Sequence, residues 1–336
     1  MTKTTPVSTI GERALIARLS KIFTTARSCS PEIILGAGAD DCAVIDITDK
    51  DCLVVTTDML HRRTDFPSRM SPWQIGWMAA AVNLSDIAAM GARPVGILSA
   101  LGFPADTDVG LVEDIARGMD DCAKACGTTV IGGDIDTHDE LTITGTAIGR
   151  VKKSELLTRC GAQAGDMVCV MGCVGSAGAA LRALGDWKGT QVSDSILRAL
   201  FEPVPHTTDA QELAGSGAVS SMMDTSDGLA LSLHDLAGAG AVGFKVYEDA
   251  LPIKDEVLAF AGSADKALDL ALYTGGDFGL LFTVRPDMVE AARGACDLTV
   301  IGKVVGRDMG VTITRMNGTS LPIYRKGYLQ LTNTVK

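Results

Sequence analysis

Residues Leu35–Leu60 read LGAGADDCAVIDITDKDCLVVTTDML. Two apolar, β-branched runs, Cys42–Ile47 and Cys52–Thr57, flank the polar turn Thr48–Asp51. That alternation predicts a β-hairpin. Asp40 and Asp41 precede the first strand and Asp58 follows the second, so folding the hairpin brings three carboxylates to one end. Like charges so placed raise one another's pKa or require a cation, and a hard divalent metal with oxygen ligands suits such a cluster. Any one of these aspartates taken alone reads equally well as a solvated turn residue.

Working outward, residues 8–26 form an amphipathic pattern with Leu15, Ile16, Leu19 and Ile22 on one face, predicting a single helix. His61–Arg69, HRRTDFPSR, is the most basic patch. Ser71-Pro72 is a helix start, a capping residue with proline at the first helical position, and Gly91 is a stop. The helix between them is apolar on almost every face and so belongs in the interior. Its exceptions, Asn83 and Asp86, share a face three residues apart. Asp86 falls in the last turn, where the helix dipole disfavours an anion. It needs a compensating cation, either a bound metal or a local arginine such as Arg93.

Strands are expected over Val95–Leu101, Thr128–Ile131 and Leu141–Val151, with a helix over Thr107–Cys126 and a Gly132-Gly133-Asp134 turn after the short strand. Consecutive strands with helices on one side make an α+β pattern. The polar segment within Val151–Gly165 marks a domain boundary, giving units 1–152 and 153–336. Beyond it, Asp166–Met171 reads as a strand, and Gly172–Gly178, GCVGSAG, opens a helix. That turn is either a phosphate cradle or a plain tight turn, since it matches neither common phosphate-loop spacing. Val219–Met223 ends in Asp224-Thr225-Ser226-Asp227-Gly228 ahead of a helix, and Gly275-Gly276-Asp277 precedes the strand LLFTV. Strands over Leu298–Val305, Val311–Arg315 and Leu321–Tyr324 close the chain, with Asn317-Gly318 as a hairpin turn.

Composition narrows the function. The chain has 336 residues, 46% of them hydrophobic and only 4% aromatic, with a formal net charge of −11. Nucleic acid and anionic membranes are poor partners for such a surface, and too few aromatics exist to stack single-stranded bases. No apolar run reaches spanning length and Met1–Pro6 lacks a signal core, so a cytoplasmic protein is expected. The nine cysteines show no zinc spacing and read as reduced, mostly buried small hydrophobes. Aspartates at the ends of apolar runs recur at Asp40/Asp41, Asp58, Asp86, Asp134, Asp224/Asp227 and Asp277. Such recurrence points to one acidic mouth holding divalent ions, which in turn bind polyphosphate.

These stretches resemble the thiamine-monophosphate kinase family, within the superfamily of aminoimidazole ribonucleotide synthetase, selenophosphate synthetase and the hydrogenase-maturation dehydratase. The resemblance lies in GADDCAV (38–44), TTDML (56–60), AVNLSDIAAMGARP (81–94), GGD (132–134), LTRCGAQAGD (157–166), DTSDGLA (224–230) and GGDFGLLFTV (275–284), in family order. The DMLHR…TDF stretch is similar to an archaeal-type branch. The resemblance implies two α/β domains: an N-terminal mixed or antiparallel sheet that forms a barrel in a homodimer, and a C-terminal α/β sandwich. It implies transfer of the ATP γ-phosphoryl group to thiamine monophosphate. It places several Mg²⁺ ligands at Asp41, Thr56, Thr57, Asp58, Asp86, Asp134, Asp224 and Asp227, with metal-assisted catalysis through Asp58, Asp86 and Asp134. Nucleotide positions fall on Gly133, Asp134, Arg159 and Ser226.

Three departures lie where the acceptor should sit. Asp65 stands where the family often has His; GGDFGL, with Asp277, replaces GGEDYEL; and Arg325–Leu331, RKGYLQL, with Tyr328, replaces an aromatic-His-Phe tail. Asp65, Asp277, Tyr328, His61 and Arg62 are therefore the candidate acceptor residues, although the His61-Arg62-Arg63 run also reads as a solvated basic turn. A phosphate acceptor is itself largely ionised near neutral pH, with a second pKa of about 6. No general base is required, and His61, His138, His206 and His234 are not expected to be one. The alternatives are another ATP-dependent enzyme of the superfamily, for which Cys29 would be the candidate reactive thiol, and a non-catalytic Mg-nucleotide sensor.

Overall fold

The computed structural model describes residues 6–24, 30–185 and 192–330. In chain order its helices are α1 (Val7–Ile10), α2 (Glu12–Thr24), α3 (Pro72–Ala89), α4 (Val109–Ala125), α5 (Ser176–Leu184), α6 (Asp194–Phe201), α7 (Thr207–Ser216), α8 (Leu229–Gly240), α9 (Asp255–Ala261), α10 (Ala264–Tyr273) and α11 (Val289–Ala295). The strands are β1 (Ile33–Leu35), β2 (Ala43–Asp46), β3 (Asp51–His61), β4 (Arg93–Phe103), β5 (Val130–Thr137), β6 (Thr142–Lys152), β7 (Met167–Met171), β8 (Val219–Asp224), β9 (Gly243–Tyr247), β10 (Leu280–Val284), β11 (Thr299–Val305), β12 (Val311–Thr314) and β13 (Ser320–Pro322).

The strands form two sheets, β1-β2-β3-β6-β4-β5 and β13-β12-β9-β11-β7-β10-β8, both mixed. The expected hairpin is β2–β3, paired from Ala43↔Val55 to Asp46↔Cys52. Its second strand runs further than the local sequence signals. β3 pairs with β6 without interruption from Asp51↔Lys152 to His61↔Thr142, so Asp58 lies inside a strand and not beyond its end. The uninterrupted pairing with β6 overrides the polar residues that mark a strand end, and side chains take groups on the other edge, as Asp65 does for the His61 N–H.

The Gly132-Gly133-Asp134 turn is likewise a strand. It sits in β5, parallel to β4 with Leu98↔Gly132 and Ala100↔Asp134. A Cβ on Gly133 would lie 1.8 Å from the Ser99 carbonyl oxygen, so close backbone approach accounts for that glycine. The single helix expected over 8–26 is two helices broken at Gly11 (φ +74°). Ile16, Leu19 and Ile22 are exposed, and the helix's expected last two residues lie outside the described ones.

α3 organises the molecule. Ser71 and Gln74 form a full capping box ahead of Pro72, and nearly every residue from Ile75 to Ala89 is buried. One side packs on the first sheet and α4. The other faces the second half: Ser85 Oγ donates to Asp224 on β8 (2.8 Å) and Trp77 Nε1 donates to the Pro203 carbonyl (2.8 Å). A helix apolar all round is thus one buried between two layers. It carries Asn83, Ser85 and Asp86 into the seam between the sheets. No helix among the described residues is long and apolar enough to cross a membrane.

Candidate active site

The acidic mouth assembles at that seam from four elements. The loop between β1 and β2 supplies Asp40 and Asp41, β3 supplies Thr56 and Asp58, the last turn of α3 supplies Asp86, and the end of β8 supplies Asp224. Carboxylate oxygens of Asp41, Asp86 and Asp224 all lie within 4.8 Å of one another. Gly145 on β6 makes room for the adjoining contact. A Cβ there would lie 2.2 Å from Asn83 Nδ2, whereas the bare glycine lets Asn83 Oδ1 accept the Asp58 backbone N–H at 3.1 Å.

The partners divide the carboxylates into two classes. Asp86 accepts from Thr56 Oγ1 (2.6 Å), and Asp224 accepts from Ser85 Oγ and Ser226 Oγ (2.8 Å each). These are hydroxyls, which leave the charge in place. Arg93 does not answer Asp86; its guanidinium donates to the Pro94 carbonyl. Asp40 and Asp41 instead face Arg159, whose backbone N–H donates to Asp40 (3.0 Å) and whose guanidinium pairs with Asp41. Arg13 of α2 bridges Asp227 (2.9 Å) and Asp235 (2.6 Å), and Arg325 also reaches Asp235 (2.8 Å).

Burial dominates the titration of this cluster. It pushes Asp41 to about 6 despite Arg159 and, with the neighbouring Asp41, pushes Asp40 to about 6. It raises Asp227 to about 6 against the opposing pull of Arg13. Asp58, Asp86 and Asp224 are also raised, first by burial; the charges of Asp58, Asp224 and Asp41 then add to the rise at Asp86. Asp41 Oδ2 is buried with no hydrogen-bond partner. Leaving a carboxylate oxygen so is costly, and a hard cation supplies what is missing. All-oxygen donors of this kind suit Mg²⁺, Mn²⁺ or Ca²⁺. The residues present therefore fit a divalent ion.

Two clefts share this acidic wall. A polar one of about 700 Å³ is lined by Glu12, Arg13, Asp41, Arg159 and Arg325 together with the cluster. A smaller one of about 360 Å³ is more apolar, walled by Leu60, Met78, Val82, Leu200, Phe278 and the Gly275-Gly276 turn. Glu12, Asp58, Asp86, Asp224, Ser226 and Asp227 line both.

The sequence-derived residues divide accordingly. Asp41, Thr56, Asp58, Asp86, Asp224, Asp227, Arg159 and Ser226 converge on the polar cleft. Thr57 lines it too, but its hydroxyl is taken by the Gly145 carbonyl (2.7 Å) and Thr146. Asp65 and Tyr328 meet in the smaller cleft, with Tyr328 Oη donating to Asp65 at 3.3 Å. His61 and Arg62 line neither cleft; His61 instead faces Glu140 at 3.7 Å. Asp134 is set apart from the cluster. In the row Met59↔Thr144↔Ala100↔Asp134 it is three strands from β3, about 14 Å at ordinary strand spacing, on the face opposite Asp58.

Asp277 is a correction. Its carboxylate accepts the N–H groups of Gly175 (2.5 Å) and Ala177 (2.8 Å) at the start of α5, and it lines neither cleft. A helix N-terminus attracts an anion, and here the protein's own carboxylate takes that place. The same contact removes the phosphate-cradle reading of Gly172–Gly178. Sequence reasoning missed Arg13, Asp235, Arg325 and Ser85. Arg13 carries no local signal, being 214 and 222 positions from its partners, whereas Ser85 is flagged only by standing beside Asp86. Of the cysteines, Cys42, Cys52, Cys122 and Cys169 are buried and Cys160 is exposed; Cys29 lies outside the described residues.

Comparison with known proteins gives a consistent picture. Residues 39–151 match the model for the AIR synthase related protein N-terminal domain, and residues 163–314 match that for its C-terminal domain. Thiamine-monophosphate kinase of Methanospirillum hungatei is 41% identical over 297 residues, covering 87% of this chain and 92% of that one. The enzyme of that name from Escherichia coli is 33% identical over 332 residues, covering 95% and 97%. The solved structure of AaThiL complexed with AMPPCP and TMP superposes with a TM-score of 0.84 at 26% identity, covering 98% of this chain and 100% of that one.

Proposed function

This chain belongs to the thiamine-monophosphate kinases of the AIR synthase related family, and from that premise we propose how its residues carry out the reaction. It phosphorylates thiamine monophosphate with ATP. The observation that carries our reading is the acidic wall common to two clefts of different character. The polar cleft suits a triphosphate, and the apolar one suits a heteroaromatic ring.

In this reading Asp41, Asp58, Asp86, Asp224 and Asp227, with Thr56 and Thr57, hold the divalent ions, which we take to be Mg²⁺. When bound, Mg²⁺ neutralises charge on the transferring phosphoryl group. Arg159 and Ser226 hold the nucleotide. Asp65 and Tyr328 position the acceptor, whose phosphate oxygen attacks the γ-phosphorus in line as ADP leaves. That oxygen is already anionic at neutral pH, so the transfer requires no general base. The chemistry then rests on positioning and charge.

We take the boundary between the two domains at Lys152–Lys153, and the active form to be a homodimer. Support comes from the first sheet, whose face opposite α3 carries exposed Met59, Val95 and Leu98. It also comes from Asp134, whose distance from the cluster within one chain is accounted for if a second copy presents Gly133 and Asp134 to the site. Incubation with ATP, Mg²⁺ and thiamine monophosphate tests the reading: thiamine diphosphate should form in step with ADP. Its absence at every Mg²⁺ level would remove the assignment.

A further inference from the structure

Arg13 is the cation paired with Asp227 among the described residues, and it is held there by a second anchor. Nη2 donates to Asp227 at 2.9 Å, while Nη1 donates to both oxygens of Asp235 at 2.8 and 2.6 Å. Its helix is tied down at Glu12, which accepts the Gln330 backbone N–H at 2.7 Å. Glu12, Arg13, Ile16, Ala17 and Ser20 of α2 all line the polar cleft. The other two arginines of that cleft are differently placed. Arg159 is committed to Asp40 and Asp41, which are almost fully buried, and Arg325 meets Asp235 from a more exposed position.

We propose that Arg13 is a nucleotide-binding residue which stands in for the divalent metal at Asp227 and, with a metal on that carboxylate, turns its freed nitrogen to the polyphosphate. The proposal rests on the metal-nucleotide reading of the cleft. A metal arriving at Asp227 competes with a guanidinium already there, so the arginine lowers metal affinity before nucleotide binds. Asp235 keeps the guanidinium in the cleft after the exchange, because its two hydrogen bonds do not depend on Asp227. A planar guanidinium with an unused edge is well matched to phosphate oxygens.

The test measures Mn²⁺ binding by electron paramagnetic resonance without nucleotide, and binding of a methylene-bridged ATP analogue by calorimetry at saturating Mg²⁺. Arg13→Gln should tighten metal binding at one site about fivefold and weaken the analogue about tenfold, the scale of one charge-assisted hydrogen bond. Arg13→Lys keeps the competing charge but loses the fork. It should leave metal affinity within about twofold and weaken the analogue about threefold, and it carries the test alone if the glutamine variant does not fold. Metal affinity in Arg13→Gln that stays the same or falls, or analogue affinity unchanged in both variants, overturns the proposal. A wild-type protein that binds neither probe would instead overturn the metal-nucleotide reading itself.

Discussion

Asp224 and Asp277 make an instructive pair. Both are buried; Asp224 ends β8 and Asp277 lies three residues before β10, the antiparallel neighbour whose Leu280 pairs with Asp224. Each stands near glycines in the sequence, and burial raises the pKa of each. Yet Asp277 accepts two backbone N–H groups at a helix start and faces no other carboxylate in the acidic cluster, whereas Asp224 accepts two hydroxyls and the Ser226 N–H and faces Asp41 and Asp86. The first carboxylate is answered inside the fold. The second adds its charge to the cluster with Asp41 and Asp86, in which Arg159 pairs with Asp41 alone, the imbalance expected of a ligand rather than of a cap.

The largest effect should come from the cluster. Asp86→Asn or Asp224→Asn is expected to lower thiamine diphosphate formation about a thousandfold or more, the scale of losing charge stabilisation at a transferring phosphoryl group. The metal-free thermal midpoint should hold or rise, because crowded like charges are relieved. Activity near wild type in either variant would remove that residue from the ligand set. Asp277→Ala should do the reverse. Two orphaned N–H groups cost about 1–3 kcal/mol of stability, readable as a lower urea midpoint, while kcat stays within about threefold. A variant that loses activity at unchanged stability would return Asp277 to the acceptor site.

A smaller effect is expected in the acceptor cleft. Tyr328→Phe removes the hydroxyl that donates to Asp65 and should raise KM for thiamine monophosphate about three- to tenfold without moving KM for ATP. Equal changes for both substrates would place Tyr328 outside the acceptor site.

The smallest effect is in the pH profile. Asp40, Asp41 and Asp227 are pushed up to about 6. A carboxyl whose folded pKa is raised favours the folded state while protonated. That contribution is complete below its ordinary value near pH 4 and is lost as pH rises through about 6. With a chelator present, the thermal midpoint should therefore fall from about pH 4.5 to 6.5 relative to the Mg²⁺-saturated protein, in which the metal takes the place of the protons. Parallel profiles with and without Mg²⁺ would contradict metal binding at these carboxylates.

Local patterns carried much of this molecule. The hairpin alternation, the Ser71-Pro72 start and the all-round apolar helix were legible because neighbours in sequence fix period, caps and burial. The recurring aspartates and their resemblance to a known family identified half of the residues lining the acidic cleft. Apart from the break of the first helix at Gly11, what failed did so where a distant partner outweighed local preference. β3 and β5 run through their polar residues because β6 and β4 pair with them throughout. Asp277 was misread because its partners, Gly175 and Ala177, lie about a hundred positions earlier.

By itself, then, the chain's order of residues placed the hairpin, the buried helix and several further strands and helices, and showed that acid side chains recur at the ends of apolar runs. Only the tertiary arrangement decided which acids meet. It set Asp134 three strands aside, gave Asp277 to a helix, and brought Arg13 to Asp227. The reason is physical: periodicity is a property of adjacent residues, but the compensation of a buried charge depends on whatever the fold places beside it, at any separation along the chain.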